Sequence, residues 1–407
     1  MKYLYFGTIC APETYMPMLE KFRVKPSVAP FVFESALLKG FREQGAELEA
    51  ISFPVIPAWP KSKHLAWGCR KERLESGYPT TWIGAINVSG IKQLCQRIVS
   101  RILLKRWLRK HKDEEKAVLI YSAYQPISKS IVSLCKKQKS TKCYAIIPDL
   151  PRDMYNLAKV KSIKKVASQM YVREAEKVQG RFDGYVYLTE AMGQVINPEK
   201  PFVVVEGIAD VGLAQEQALT EKEAGFVVMY AGALYEKYGI KNLLDAFCAL
   251  ERQDAQLWLF GSGDMEQELE THAAQDPRIR YFGRVSRDEV LECERKATVL
   301  VNVRDDKDEF TKYSFPSKTI EYMLSGTPML TTKLPGIPEE YFKYLYSVSD
   351  NQVETLREML EQLATQPAEE LLSFGAQAQR FVVEQKNARA QAGKILQFMN
   401  KGTRSGL

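Results

Sequence analysis

Apolar residues in this chain come in short, nearly continuous runs, separated by stretches where they recur every three or four positions. Lys2–Gly7 is the first run and ends at a glycine. A helical stretch over Phe31–Gln44 follows, then a second run at Leu48–Val55. Ala117–Ala123, Cys143–Ile147, Gly184–Leu188 and Pro201–Val205 continue the series. Runs of this length, rich in Val, Ile and Tyr, predict strands buried on both faces of a parallel sheet. Their alternation with helical segments predicts βαβ units.

From Gly212 to Ala224 the chain turns polar and rich in Gln, Glu and Ala, which predicts an interdomain linker. The alternation then restarts. Phe226–Tyr230, Gln256–Phe260, Arg278–Phe282, Thr298–Val303 and Pro328–Thr332 read as strands, with a helix over Ile240–Glu251. Ser286 with Glu289 three residues on forms a capping box that opens another helix. The stretch Ala368–Asn400 is helical in pattern with no strand after it. Two sequential doubly wound α/β domains are expected, divided near residue 210.

Composition narrows the class. With 45% hydrophobic and 26% charged residues, the 407-residue chain has material for two cores and no low-complexity tract. No run of 18 apolar residues predicts a membrane span, and the amino terminus is too short in apolar residues for a signal-peptide core. Cys10, Cys69, Cys95, Cys135, Cys143, Cys248 and Cys293 form no C-x-x-C pair, so buried free thiols and a cytoplasmic setting are expected. The charge is uneven: residues 1–200 carry 34 Lys+Arg against 18 Asp+Glu, and the remainder 23 against 32. A first half at +16 predicts an anionic partner.

In doubly wound sheets, ligands bind beyond the carboxyl ends of the strands. Three loops of the second half qualify. In Tyr230–Ile240, Gly232 lets a ligand approach the backbone and Lys237 can reach a phosphate, or the segment is a plain turn with a surface lysine. Phe260–Asp264 carries Gly261 and Gly263 but lacks the third glycine of a dinucleotide fingerprint. The third, Glu309–Pro328, places Pro316 as the first residue of a helix. A helix start there offers free N–H groups to an anion, and Lys318 adds a full charge. Glu321 lies one turn on and can accept hydrogen bonds from a ribose diol. Phosphate and ribose together describe a nucleoside diphosphate.

This stretch, Y-S-F-P-S-K…E-Y-M…S-G-T-P preceded by V-N-V-R at Val301–Arg304, resembles the donor-site signature of retaining glycosyltransferases of family four. It is most similar to the branch that builds bacterial capsule and exopolysaccharide. In the first half the resemblance rests on K-P-S-V-A at Lys25–Ala29, I-P-D-L-P at Ile147–Pro151, Y-L-T-E-A-M at Tyr187–Met192 and V-E-G-I at Val205–Ile208. It implies the GT-B fold, two Rossmann-like domains facing across a cleft, with residues 386–407 returning as a helix to the first domain. It also implies a nucleotide-sugar donor, a glycan acceptor, and metal-independent catalysis with no cofactor.

Carried over by position, Glu321 is the ribose-binding glutamate, and Tyr313 stands where the family's first glutamate contacts the donor sugar. Ser314, Phe315 and Ser317 belong to the same donor loop, and Gly283-Arg284-Val285 matches the loop whose backbone reads the base. Ala233 replaces a frequent arginine, and Tyr238 a frequent lysine. Asp149 ends a first-domain strand and either orients the acceptor or is a turn residue before Pro151. The acidic run Asp305, Asp306, Asp308, Glu309 reads as a solvated loop in preference to a metal site.

Ile91–Lys116 accounts for much of the basic charge. Leu94, Ile98, Ile102 and Leu108 recur at helical spacing, with Arg97, Arg101, Lys105, Arg106, Trp107, Arg109 and Lys110 between them. A basic amphipathic helix of this kind suits an anionic membrane, with Lys159–Lys165 extending the patch and a lipid-linked acceptor at the inner leaflet accounting for it; the alternative is a sheet-covering helix whose wet face is basic. No nucleic-acid recognition module accompanies it. The alternatives to a glycosyltransferase are a nucleotide-sugar epimerase of the same architecture and a non-catalytic scaffold subunit.

Overall fold

The computed structural model describes residues 1–23, 28–123, 125–138, 140–154, 163–215 and 221–404. Residues 25–27 of the K-P-S-V-A motif, 159–162 of the second basic run and 216–220 of the expected linker lie outside them. The chain forms two units, Met1–Ile208 with Ala388–Leu407, and Ala209–Asn387.

The first unit is built on an eight-stranded sheet. Its strands are β1 (Lys2–Gly7), β2 (Leu48–Ser52), β4 (Arg70–Arg73), β5 (Pro79–Trp82), β7 (Lys116–Tyr121), β8 (Thr141–Ile147), β9 (Gly184–Tyr187) and β10 (Phe202–Val204). They lie in the order β10-β9-β8-β7-β1-β2-β5-β4, and only β4 runs antiparallel. A small antiparallel pair, β3 (Ala66–Trp67) and β6 (Ala85–Ile86), stands beside it. The excursion from β2 through β6 was not expected from the sequence. Its strands are only two to four residues long, too short to show a hydrophobic period.

The second unit carries β11 (Phe226–Ala233), β12 (Ala255–Ser262), β13 (Ile279–Gly283), β14 (Val299–Asn302), β15 (Met329–Thr332) and β16 (Tyr346–Val348). All are parallel, in the order β13-β12-β11-β14-β15-β16. The expected capping box at Ser286 supplies its half: the side chain accepts from the Glu289 N–H at 3.3 Å. The expected linker begins instead as a short helix, Val211–Gln215.

Each unit has its own core. In the second, Val228, Leu257, Leu259, Val299 and Val301 meet Leu243, Phe247, Leu356 and Leu360 from the helices. In the first, Tyr5, Leu119, Ile146 and Val186 meet Leu37, Phe41, Ala392, Ile395 and Met399. Those last three stand on the terminal helix, Ala388–Arg404, which packs on the helix Val28–Glu43. The terminal stretch is therefore two helices, Ala368–Gln385 and Ala388–Arg404, and the second belongs to the first unit. Gly40 permits the close approach of the helix Val28–Glu43 to Ala388–Arg404, because a Cβ there would stand 2.0 Å from the Ala388 carbonyl oxygen.

All seven cysteines are free, but only Cys10, Cys135 and Cys143 are buried. Cys69 and Cys248 are exposed, against expectation, because one sits on the surface excursion and the other at a helix end.

Candidate functional site

The strand order of the second unit reverses beside β11, between β12 and β14, which opens a crevice at the carboxyl ends of those strands. The residues singled out there come together as follows. Gly232 and Gly261 are paired across β11 and β12. Gly261 has φ +124°, and a Cβ there would stand 1.7 Å from the Gly232 carbonyl oxygen. Gly263 approaches the Leu234 carbonyl in the same way, at 2.0 Å. Both glycines thus let two strand-end loops pack backbone to backbone.

The helix Lys318–Leu324 is fastened to this edge by Tyr322. Its buried hydroxyl accepts from the Ala231 N–H at 2.9 Å and donates to the Ala231 carbonyl at 3.2 Å. The helix begins two residues later than expected. Ser317 is its N-cap, and the Pro316 carbonyl accepts only a turn hydrogen bond, from Thr319 N–H at 2.8 Å. Pro316 is buried and precedes the helix, so it orients the entering chain and is not the first helical residue. Phe315 is buried against Tyr341, with ring centroids 5.5 Å apart, so its side chain is core. Tyr313, Ser314 and Lys318 are half-buried, and Ser317 is exposed. Gly336 underpins this loop, since a Cβ there would meet the Thr311 and Ser314 carbonyls.

Lys318 forms an ion pair with Glu321 and lies 3.9 Å from Glu294, with its ammonium 5.5 Å from the Tyr322 ring centroid. It is engaged by carboxylates and is not a free phosphate ligand as expected. Glu294 was missed from the sequence. It is fully buried on the helix Arg287–Lys296, and no donor reaches either of its carboxylate oxygens. Burial, then the Glu321 carboxylate, push its pKa up to about 8, with Lys318 opposing. A protonated Glu294 can donate to Glu321, which satisfies a pair that two carboxylates alone leave without a donor.

Arg304, just past β14, was quoted in a motif but not placed in the site. Its guanidinium lies 4.7 Å from the Tyr238 ring centroid, its Nε is buried without a partner, and its charge lowers the Tyr230 pKa that burial raises. Lys237 is exposed and stacks on the same tyrosine, 5.0 Å from the ring centroid. Two cations, Arg304 and Lys237, thus stand against the Tyr238 ring. Arg284 donates from Nε to Ser262 Oγ at 2.5 Å, which ties the Gly283-Arg284-Val285 loop to the end of β12.

In the first unit the order reverses between β7 and β2, on either side of β1. Asp149 is exposed past the end of β8, and burial, then the charges of Glu34 and Asp149, raise the pKa of Tyr121 at the end of β7. The same edge holds a buried carboxylate that sequence reading missed. Glu34 accepts from Tyr5 Oη at 2.8 Å, from the Thr8 N–H at 2.9 Å and from the Thr8 hydroxyl. Burial pushes it up to about 7 against those hydrogen bonds. A lone charged residue inside F-V-F-E-S-A-L-L was the available signal. Ser122 and Ala123, at φ +62° and +39°, add left-handed backbone beside it.

The helix Ile91–Lys110 forms as expected, with a polar row buried and the aliphatic stripe outward. Lys92, Gln96, Ser100, Leu104, Trp107 and Leu108 are buried, whereas Leu94, Ile98 and Ile102 are exposed. Trp107 is therefore not membrane-facing; it packs beside His111 and leaves 5% of its surface to solvent. Arg97, Lys105, Arg106, Arg109 and Lys110 are exposed and Arg101 half-buried, with Lys110 bonded to Glu49 at 2.7 Å. Among the described residues, no helix is long and apolar enough to cross a membrane.

With this geometry in place, likeness to known proteins becomes informative. Residues 225–366 match the family of glycosyl transferases group 1. No curated protein matches the chain. Several solved structures share the whole fold. The Anabaena protein HepE in complex with UDP has a TM-score of 0.60 at 12% identity, covering 98% of this chain and 100% of its own. The lipopolysaccharide outer core galactosyltransferase WaaB gives 0.59 at 13%, covering all of both chains. A trehalose-6-phosphate synthase studied for glycosyltransfer with retention gives 0.62 at 10%, covering 98% and 99%. Residues 225–366 thus carry a group 1 glycosyltransferase domain, set in a GT-B fold.

Proposed function

We propose that this chain moves a sugar from a nucleoside diphosphate onto a glycan acceptor that is lipid-linked, with retention at the anomeric carbon. The work belongs to surface polysaccharide assembly at the inner face of the plasma membrane. The observation that carries the reading is the presence, at the strand ends of one sheet in a group 1 glycosyltransferase domain, of the Arg304 guanidinium, whose buried Nε has no hydrogen-bond partner, and the Glu321 carboxylate. Arg304 and Lys237 hold the diphosphate, Glu321 the ribose, and the 283–285 loop the base. The binding of UDP by HepE favours uracil, and the part played by WaaB in lipopolysaccharide favours a surface glycan.

In the reaction the bond from the anomeric carbon to the diphosphate oxygen breaks, and its electron pair leaves on the diphosphate. The acceptor oxygen bonds to the same carbon on the face just vacated, and its proton passes to the departing phosphate. Charge builds on the leaving oxygen, so fixed cations lower the barrier without metal or cofactor. Tyr313 borders the transferred sugar, and Asp149 orients the acceptor.

Thermal unfolding with UDP, ADP, GDP and CDP tests the donor site. At one hundred times its dissociation constant, a ligand stabilises by about 2.7 kcal/mol. One diphosphate should shift the wild type, and Glu321→Ala and Arg304→Gln should lose the shift. A wild type that ignores all four would refute the reading and leave a scaffold role.

A further inference from the structure

A helix on a water-soluble surface ordinarily turns its aliphatic stripe inward and its polar face out. Ile91–Lys110 does the reverse over its first three turns. Lys92, Gln96 and Ser100 are buried, at spacings of one turn. Lys92 donates to the Ile56 carbonyl and stands 5.6 Å from the Trp67 ring centroid, and burial pushes its pKa down to about 8. Holding a lysine inward while isoleucines stand outward is costly in water. Yet Ile91, Leu94, Ile98 and Ile102 are 46%, 55%, 49% and 44% exposed.

The same outward line continues in charge. At about 100° per residue, Ile91, Leu94, Ile98, Ile102, Lys105 and Arg109 fall within roughly a quarter of the helix circumference. Arg101 and Arg106 flank the line, and the helix contains no acidic residue. Among the described residues, no carboxylate pairs with Arg97, Arg101, Lys105, Arg106 or Arg109. Beside the helix, the β3–β6 pair exposes Ile86, and Leu65 next to it is also exposed.

We infer that this face lies in the interfacial layer of an anionic bilayer, with Ile91, Leu94, Ile98 and Ile102 among the acyl chains and Arg101, Lys105, Arg106 and Arg109 at the lipid phosphates. Aliphatic insertion and basic flanks on one helix are the two components of interfacial binding. The long basic side chains reach the headgroups while their stems stay apolar. Charge selects the occupant. A second copy of the same face would bring like cations together, and nucleic acid gives the aliphatic stripe nothing to bury against. The inference deepens the proposed function by naming the lipid chemistry met on the acceptor side, and it rests on that reading only for the acceptor.

Flotation of the full chain with vesicles of phosphatidylcholine, alone or mixed with anionic phosphatidylglycerol, decides it. Binding to the anionic vesicles alone is expected, falling as salt is raised. Arg101→Gln/Lys105→Gln/Arg109→Gln should weaken it by about fivefold per cation. Leu94→Gln/Ile98→Gln/Ile102→Gln should abolish it. All six positions lie on the outward face, so both triple variants should keep the melting temperature and the UDP shift of the wild type. Failure of the wild type to float with anionic vesicles overturns the inference, as does equal flotation of either variant. So does a dimer that the apolar variant disperses, which would assign the stripe to a second copy. Loss of the UDP shift in the wild type would instead sink the donor-site reading and leave the flotation result standing.

Discussion

Glu294 ties the donor edge to pH. A buried carboxyl whose pKa is raised to about 8 binds its proton more tightly in the folded chain than in the unfolded one. Its contribution to stability is complete below the unfolded value and is lost as pH rises toward 8, by up to about 1.4 kcal/mol per pH unit. The charged groups around it are Glu321 and Lys318 on the facing helix and Arg287 on its own, with Tyr322 also near. Glu294→Gln keeps the shape and a donor for Glu321 and cannot ionise. The variant should match the wild type in melting temperature near pH 5 and exceed it increasingly up to pH 8. A constant difference across that range would show that Glu294 does not titrate there. Glu321 and Lys318 were legible from the sequence because they sit in a motif. Glu294 was not, since it stands on the helix before β14, one strand away in sequence, and its role appears only when the sheet brings both helices together.

At the scale of elements, the donor edge depends on loops that pack without side chains. Gly261 combines φ +124° with contact to the Gly232 carbonyl, so Gly261→Ala combines backbone strain with a clash. It should cost at least about 2 kcal/mol in urea unfolding. Gly45→Ala, at φ +72° with open space, should cost only about 1 kcal/mol. Equal costs would mean that the β11 and β12 loops separate freely. Hydrophobic runs revealed the central strands of both sheets, because strands buried on both faces keep an unbroken apolar signature. For Ile91–Lys110 periodicity locates an apolar stripe without saying whether protein or something else covers it. The buried side of that helix is held by polar groups with specific partners, such as Lys92 on the Ile56 carbonyl, and spacing cannot find those.

For the whole molecule, the decisive feature is that the first unit is completed by the end of the chain. Ile395 and Met399 are buried in its core, and Tyr3 donates to Asn400 at 2.7 Å while Tyr144 donates to the Met399 carbonyl at 3.2 Å. Burying two such side chains is worth about 1.5–3 kcal/mol each, a large share of the 5–15 kcal/mol that typically holds a domain together. The main core cluster of the second unit, from Phe226 to Leu371, lies within that unit's own stretch of chain. A chain ending at residue 387 should therefore lose the cooperative unfolding of the first unit while the second still melts as one transition and still shifts with UDP. Added back as a peptide, residues 388–404 should restore the lost transition, because their contacts are to residues of the first unit. Survival of both transitions in the shortened chain would show that the terminal helix only rests on the first unit, and its buried side chains would then be a surface cover instead of part of the core.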